Sequence, residues 1–332
     1  MTARGTRKIR YGIIGFGRFA ERAIAPAIQS STNSELVALQ KRSGAAAKEK
    51  AAAYGVRLAF QSVDELVAHP DIDAVFIVSA NALHCPETLA AAKAGKHVLV
   101  EKPMALNCGE AEMMIEACAN HGVKLQVGHM VRLSPVVARI REIIASGALG
   151  SIAYARAEFM YDGRMSKRGW LLDRAVAGGG PVFDIGVHCL DTLRYVLQDE
   201  PVSAKGQLSP EPSATATETT AELALRFSKG TVASVVCSYQ SPIRRRAIEI
   251  IGTEGIIAAP DFTAVDVTIP LRISLGSNDQ IRDSRVENIA VPNLYIEEVS
   301  RFSSCILDDR EPELSGMNGL INQRIIDSVM TG

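Results

Sequence analysis

The tightest constraint on this chain is a glycine turn set between an apolar strand and a helix near its start. Residues 8–14 suit a buried strand and lead into Gly15-Phe16-Gly17-Arg18-Phe19-Ala20, after which a helical pattern covers 21–29. At such a junction the first glycine makes the tight turn. The second lets backbone approach a pyrophosphate, and the small third residue lets helix pack on strand. The helix N-terminus adds N–H donors and the positive end of its dipole. A chain that opens this way is expected to wrap a parallel sheet around a dinucleotide.

The next segments keep that promise. A strand over 35–40 is followed by Lys41-Arg42-Ser43 and an alanine-rich helix over 45–54. The end of a second strand is where the ribose is read: an acid there selects the 2′-hydroxyl, whereas an arginine accommodates a 2′-phosphate. No acid stands here, and Lys41 and Arg42 do, with Gln40 and Ser43 as further donors. The expected cofactor is therefore NADP(H) in preference to NAD(H). Ser62 and Glu65 form the spacing of a capping box for a helix over 62–68. Strands follow over 73–78, 97–100 and 124–127, with helices over 86–94 and 109–120 between them. Alternation of this kind builds a parallel sheet with helices on both faces.

One of these strands ends in Glu101-Lys102-Pro103. Pro103 cannot continue a ladder and biases Lys102 toward extended backbone. Lys102 is thus expected at the carboxyl end of a strand, the edge where open α/β sheets bind ligands.

After Gly128 the pattern changes. A helix over 135–146 and a long strand over 152–161 precede Gly178-Gly179-Gly180 and a helix over 181–197. From 202 to about 291 several strand-like runs are joined by connections too short for crossover helices, which predicts a mostly antiparallel sheet. Helices are expected over 294–307 and 320–330, and residues 209–220 look flexible. The fold class is therefore α/β: a doubly wound parallel domain over 1–128 and an α+β domain with an open, mostly antiparallel sheet over 129–332. The helix after the three glycines carries Asp184, His188 and Asp191. Asp184 and His188, four apart, share one face, and Asp191 reads as helix surface. No third ligand is spaced to make them a metal site.

Composition sets limits. With 332 residues the chain is long enough for two domains, and its net charge of −1 gives no reason to expect a nucleic-acid partner. Its six cysteines are scattered without a CxxC pair, which fits reduced thiols in a cytoplasm. Residues 1–10 are basic without an apolar segment, so neither a signal peptide nor a membrane span is expected.

Taken together, Gly15-Phe16-Gly17, the loop Asn81-Ala82-Leu83-His84, the run Ala94-Gly95-Lys96-His97-Val98, Glu101-Lys102-Pro103, and Gly178-Gly179-Gly180 followed by Asp184 and His188 resemble the glucose–fructose oxidoreductase/inositol dehydrogenase family. Within it, residues 169–174 and 193–197 are most similar to the 1,5-anhydro-D-fructose reductases, then to NADP-dependent sugar dehydrogenases. The resemblance implies catalytic roles for Lys102, Asp184 and His188. It implies dinucleotide contacts from Gly15, Phe16, Gly17, Arg18, Phe19, Lys41, Arg42, Ser43, Ser79, Asn81, His84, Glu101 and Lys102. Substrate contacts would come from Lys102, Tyr161, Trp170, Asp184 and His188, with a carbohydrate-like substrate and a homodimer or homotetramer joined through the second sheet. Two departures stand out: Ala80 replaces a proline common in the family, and Lys41 stands where NAD-using members carry aspartate.

The residues read the same way without the family. Carbonyl reduction develops negative charge on oxygen, which the Lys102 ammonium suits. The proton requires a group titrating near neutrality, and His188 is that group. Two alternatives stay open: a catalytically silent NAD(P)-binding regulator on this fold, and an oxidoreductase of a non-sugar substrate such as a dihydrodiol.

Overall fold

The structure, a computed structural model, describes residues 7–163, 166 and 168–330. Residues 1–6, within the stretch expected to hold no leader, lie outside them. The chain divides into two compact units: Met1–Gly128 with Tyr295–Gln323, and His129–Leu294 with Arg324–Gly332. This departs from the single cut expected after residue 128. The reason is burial. The helix Leu294–Leu307 places Val299 and Phe302 fully inside the first unit's core. Its Ser303 Oγ lies 2.8 Å from both the Tyr11 hydroxyl and Ser34 Oγ.

The first unit holds six parallel strands: β1 (Ile9–Ile14), β2 (Ser34–Gln40), β3 (Leu58–Phe60), β4 (Ala74–Ile77), β5 (His97–Val100) and β6 (Leu125–Val127). Their order is β3-β2-β1-β4-β5-β6. The winding reverses between β1 and β4, and at such a point the carboxyl ends open a crevice for ligands. Residues on both faces of β1 and β4 are buried, as parallel strands covered by helices require. Strand β3 was not anticipated, because three residues are too few to show a period. The helix after the glycine loop is irregular, with a π turn at Ala20–Ile24 before an α-helical Ala25–Ser30. Pro26 explains this, since it lacks an N–H and its ring would clash with the preceding turn of a regular helix. The capping box is as expected: Ser62 Oγ accepts from Glu65 N at 3.2 Å, and Glu65 Oε2 accepts from Ser62 N at 3.1 Å.

The second unit is built on eight strands: β7 (Ile152–Asp162), β8 (Pro201–Ser209), β9 (Thr220–Phe227), β10 (Val232–Ser238), β11 (Gln240–Gly252), β12 (Gly255–Ala259), β13 (Val267–Ser277) and β14 (Gln280–Val291). Their order is β14-β13-β12-β11-β7-β10-β9-β8, antiparallel except for β7 beside β10. Strand β9 shows the one-sided pattern of such sheets: Ala221, Leu223, Leu225 and Phe227 are buried, and Glu222, Ala224 and Arg226 are exposed. The helix Val187–Leu197 packs against β7.

Candidate active site

In the first unit the crevice forms where the β1 and β4 loops meet. Gly15 has φ +81°, a left-handed conformation that favours glycine, and a side chain there would stand 2.8 Å from the Ser79 backbone. Its N–H donates to Gln40 Oε1 at 3.1 Å, while Gln40 Nε2 donates to the Gln61 carbonyl at 2.9 Å. Gln40, expected as a donor toward a ribose, instead braces the loop from beneath. Gly17 differs from Gly15: a side chain there would meet nothing of the protein nearer than the Gly15 carbonyl at 3.8 Å. The space beside it fits a phosphate, so the residues present suit a dinucleotide. Phe16 is buried edge-on to Tyr54 with its N–H donating to the Gln40 carbonyl at 3.0 Å, and Arg18 is exposed. Phe19 is partly exposed against Tyr295.

At the end of β2, Lys41 Nζ donates to the Phe16 carbonyl at 3.1 Å, which points the ammonium back at the glycine loop. Arg42 is exposed beside it. Ser43 Oγ caps the helix Gly44–Ala53 by accepting from Ala46 N.

After β4, Ser79 Oγ donates to Glu87 Oε2 at 2.6 Å, and burial pushes the Glu87 carboxyl up to about 7. Asn81 is buried. His84 is 1 % exposed and lies between two carbonyls, with Nδ1 2.9 Å from Pro103 O and Nε2 3.3 Å from Ser79 O. Burial lowers its pKa to about 4 and the Lys102 charge acts in the same direction, so the ring is neutral and can donate to one carbonyl only. His84 thereby ties the β4 loop to the β5 loop from behind.

Lys102 is half-buried at the end of β5, and its peptide bond to Pro103 is cis. Glu101 turns its carboxylate back to accept from Lys102 N at 3.2 Å. Sequence reasoning missed Glu298, which is fully buried on the returning helix and makes no side-chain hydrogen bond among the described residues. Burial and the Glu101 charge hold its carboxyl well above the usual range.

In the second unit Gly178 has φ +80° and ends the short helix Arg174–Ala177. Side chains at Gly179 and Gly180 would overlap the Phe183 ring and the Glu218 carbonyl. Glu218, buried in the stretch expected to be flexible, accepts from Gly180 N at 2.9 Å and Val182 N at 3.1 Å and so caps the next helix. That helix opens with a π turn at Val182–Gly186 and continues as Val187–Leu197.

Asp184 lies in the π turn, 4 % exposed. The Tyr161 hydroxyl donates to Oδ2 at 3.0 Å, and Arg168 donates to Oδ1 at 3.2 Å and Oδ2 at 3.0 Å. Burial and Asp184 push the Tyr161 phenol well above its ordinary value, so it stays a neutral donor. His188 is half-buried, with its ring 6.2 Å from that of Phe159. Trp170 faces the Arg168 guanidinium at 6.0 Å.

Asp191 corrects the expectation of helix surface. It is 1 % exposed and accepts from Arg132 at 2.8 and 2.7 Å, with Arg194 and His129 at 3.8 Å. Burial opposes its ionisation, but the charges of His129 and Arg132 outweigh that and hold its carboxyl well below the usual range.

Beside Asp184, a cavity of about 500 Å³ is lined by Tyr161, Arg168, Leu171, Thr219, Tyr239 and Gln240 among others. Among the described residues no group of three or more His, Cys, Asp or Glu side chains is arranged to hold a metal ion, and no helix is long and apolar enough to cross a membrane.

Comparison with known proteins places these features in context. Residues 9–129 match the GFO/IDH/MocA model described as an oxidoreductase family with an NAD-binding Rossmann fold, and residues 137–258 match the GFO/IDH/MocA C-terminal domain. The chain is 34 % identical over 318 residues to a 1,5-anhydro-D-fructose reductase of Ensifer adhaerens, covering 94 % of this chain and 92 % of that protein. It is 28 % identical to a D-xylose 1-dehydrogenase [NADP(+)] of Haloarcula marismortui, covering 97 % and 90 %. Among solved structures, an aldose-aldose oxidoreductase from Caulobacter crescentus complexed with glycerol superposes with a TM-score of 0.85 at 30 % identity, covering 97 % and 96 %.

Proposed function

The chain belongs to the GFO/IDH/MocA family and is an NAD(P)-dependent oxidoreductase acting on CH–OH and C=O groups, and on that premise we propose that it interconverts a hydroxyl and a carbonyl on a sugar or polyol with NADP(H). The observation that carries the reading is Lys102, a cation at the end of β5 in the sheet whose switch point carries the glycine loop.

The dinucleotide would be held by the backbone of Gly15 to Gly17, by Ser79 and Asn81, and at its 2′-phosphate by Lys41 and Arg42. A bound nicotinamide supplies the hydride chemistry. Lys102 stabilises the charge that develops on the substrate oxygen. His188 gives or takes the proton on that oxygen. Asp184, held by Arg168 and Tyr161, accepts hydrogen bonds from substrate hydroxyls or from His188. The named relatives acting on anhydrofructose and xylose support a carbohydrate substrate.

The test is a spectrophotometric panel: NADPH oxidation with keto-sugars and aldoses, NADP reduction with aldoses and polyols, and a trans-dihydrodiol as the non-sugar arm. Turnover of a sugar is expected. Turnover of the dihydrodiol alone, or of nothing, rejects the reading.

The chain is further proposed to form a homodimer or homotetramer through the outer face of the eight-stranded sheet, where Val232 and Ile256 are exposed. Light scattering at micromolar concentration should give a multiple of the 35.6 kDa chain mass; a single-chain mass rejects it.

A further inference from the structure

The groups assigned to the reaction in the second unit, Asp184 and His188, are not among the residues lining the 500 Å³ cavity, whereas the two partners of Asp184 are. Tyr161 and Arg168 hold Asp184 and also form part of the cavity wall. Whatever enters the cavity therefore sits beside the reacting centre rather than at it. We propose that this cavity is a distal subsite for the part of the substrate beyond the reacting ring, and that it takes a neutral glycosyl residue, so that the preferred substrates are disaccharides or glycosides rather than free monosaccharides. The inference rests on the sugar oxidoreductase reading.

Three features carry it. The first is size: pockets of about 300–1,000 Å³ house ligands of drug size, larger than one pyranose, and this one lies within that range. The second is wall chemistry. Gln240 Nε2 donates to Thr219 Oγ1 at 2.7 Å and Ser166 Oγ accepts from Arg168 N at 3.2 Å, which leaves the Gln240 carbonyl, its second amide hydrogen and the Ser166 hydroxyl hydrogen for sugar hydroxyls. The rings of Tyr161 and Tyr239, 5.3 Å apart, and the side chain of Leu171 offer apolar surface to the C–H face of a ring. The third is charge. Among the described residues Arg168 is the charged side chain in the wall, and its guanidinium is committed to Asp184. Among the described residues Arg244, 5.6 Å from the Tyr161 ring, is a group that would reward an ionic substituent, which makes an acidic one the competing occupant.

Gly169 provides a clean test. It lines the cavity, and a Cβ there would meet no atom within 4 Å, so Gly169→Phe can fill the subsite without displacing Asp184. Steady-state kinetics with NADP(H) would compare a free aldose with its 4-linked disaccharide, its phenyl glycoside and its glucuronyl-linked counterpart. Wild type should favour the neutral extended substrates by tenfold or more in kcat/KM. Gly169→Phe should remove that preference while leaving monosaccharide turnover within about threefold. Saturation-transfer NMR with the neutral disaccharide provides a readout that does not depend on turnover, and its signal should fall in Gly169→Phe. Free monosaccharides preferred over every extended form, equal losses on both in the variant, or a glucuronyl substrate preferred tenfold over the neutral ones would each overturn the proposal. Disaccharide binding that Gly169→Phe abolishes, in an enzyme that turns over no sugar, would uphold the subsite and reject the parent reading; absence of binding would reject the subsite.

Discussion

Two glycine turns introduce helices in this molecule, one in each unit, and the same residue does opposite work in them. At Gly17 a side chain would find open space, bounded only by the Gly15 carbonyl at 3.8 Å. At Gly179 and Gly180 it would overlap Phe183 and Glu218. The first turn keeps volume clear for a ligand. The second lets protein fill the volume, with the Glu218 carboxylate taking the helix N–H groups that a phosphate takes elsewhere. Glycine before a helix thus marks close approach, and only the occupant of the space tells a binding loop from a packing one.

The contrast extends to the groups proposed to act on substrate. Lys102 is placed by backbone: a strand end, a proline and a carboxylate folded back on its own N–H. Asp184 is placed by side chains from distant segments, Tyr161 and Arg168. The largest expected effect comes from breaking the first arrangement at its functional end. Lys102→Ala should lower kcat by on the order of 10²–10³ with NADPH affinity nearly unchanged, because the glycine loop and the end of β2 are the elements proposed to hold the dinucleotide. Fluorescence titration of NADPH measures the second quantity. A parallel loss of affinity would show that Lys102 serves binding instead.

The glycine comparison is broken directly by two alanines. Gly180→Ala should destabilise the fold by about 1–3 kcal/mol or more through overpacking against the Glu218 backbone. Gly17→Ala should leave the unfolding free energy within about 0.5–1 kcal/mol, the helix-context effect of glycine replacement, and should weaken dinucleotide binding. Both are read from urea titrations with and without NADPH. If Gly17→Ala unfolds the protein while binding per folded molecule is unchanged, the two turns do the same work.

A smaller effect concerns cofactor choice. NADP(H) should be preferred over NAD(H) by roughly tenfold or more, since a charge-assisted phosphate contact contributes about 1.5–3 kcal/mol. Arg42→Ala should erode that ratio in kcat/KM, as should Lys41→Ala. Equal kcat/KM with the two cofactors in wild type would sink the assignment.

How much of this was legible depends on distance along the chain. The glycine loop, the capping box, the strand before Glu101 and the parallel-then-antiparallel order are local patterns of period and spacing, and they were readable. The return of 295–323 to the first unit was not, because nothing local in an amphipathic helix names the core it joins. Glu218 lies 38 residues from Gly180, and a lone acid in a small polar run gave no cue that it would cap a helix. The buried Asp191–Arg132 pair spans 59 residues. Gln40 was readable as a polar group near the ribose but not as a brace, since the two uses differ only in rotamer.

The smallest expected effect tests whether the β4 loop, which closes on Gly15, is electrostatically tuned. Ser79 touches two titratable groups: its hydroxyl donates to Glu87, and its carbonyl lies 3.3 Å from His84. Burial pushes the Glu87 carboxyl up to about 7, against about 4.3 in an unfolded chain. A raised folded-state pKa gives stability that is fully present below the unfolded value and is lost as pH rises through about 7, with a slope no steeper than about 1.4 kcal/mol per pH unit. His84 acts in the other direction. Its pKa is lowered to about 4 by burial, so its contribution is present above the unfolded value and lost as pH falls through about 4. The two windows overlap between about pH 4.3 and 6.5, where the slopes have opposite sign and offset each other. Glu87→Gln keeps an acceptor for Ser79 and removes its titration, so it should unmask the His84 limb, a rise in unfolding free energy with pH between about pH 4.5 and 6.5 that Glu87 offsets in wild type. Urea denaturation across that range measures it. An unchanged slope in Glu87→Gln would mean that Glu87 is ionised throughout, and that Ser79 binds a carboxylate whose burial costs the fold nothing that pH can recover.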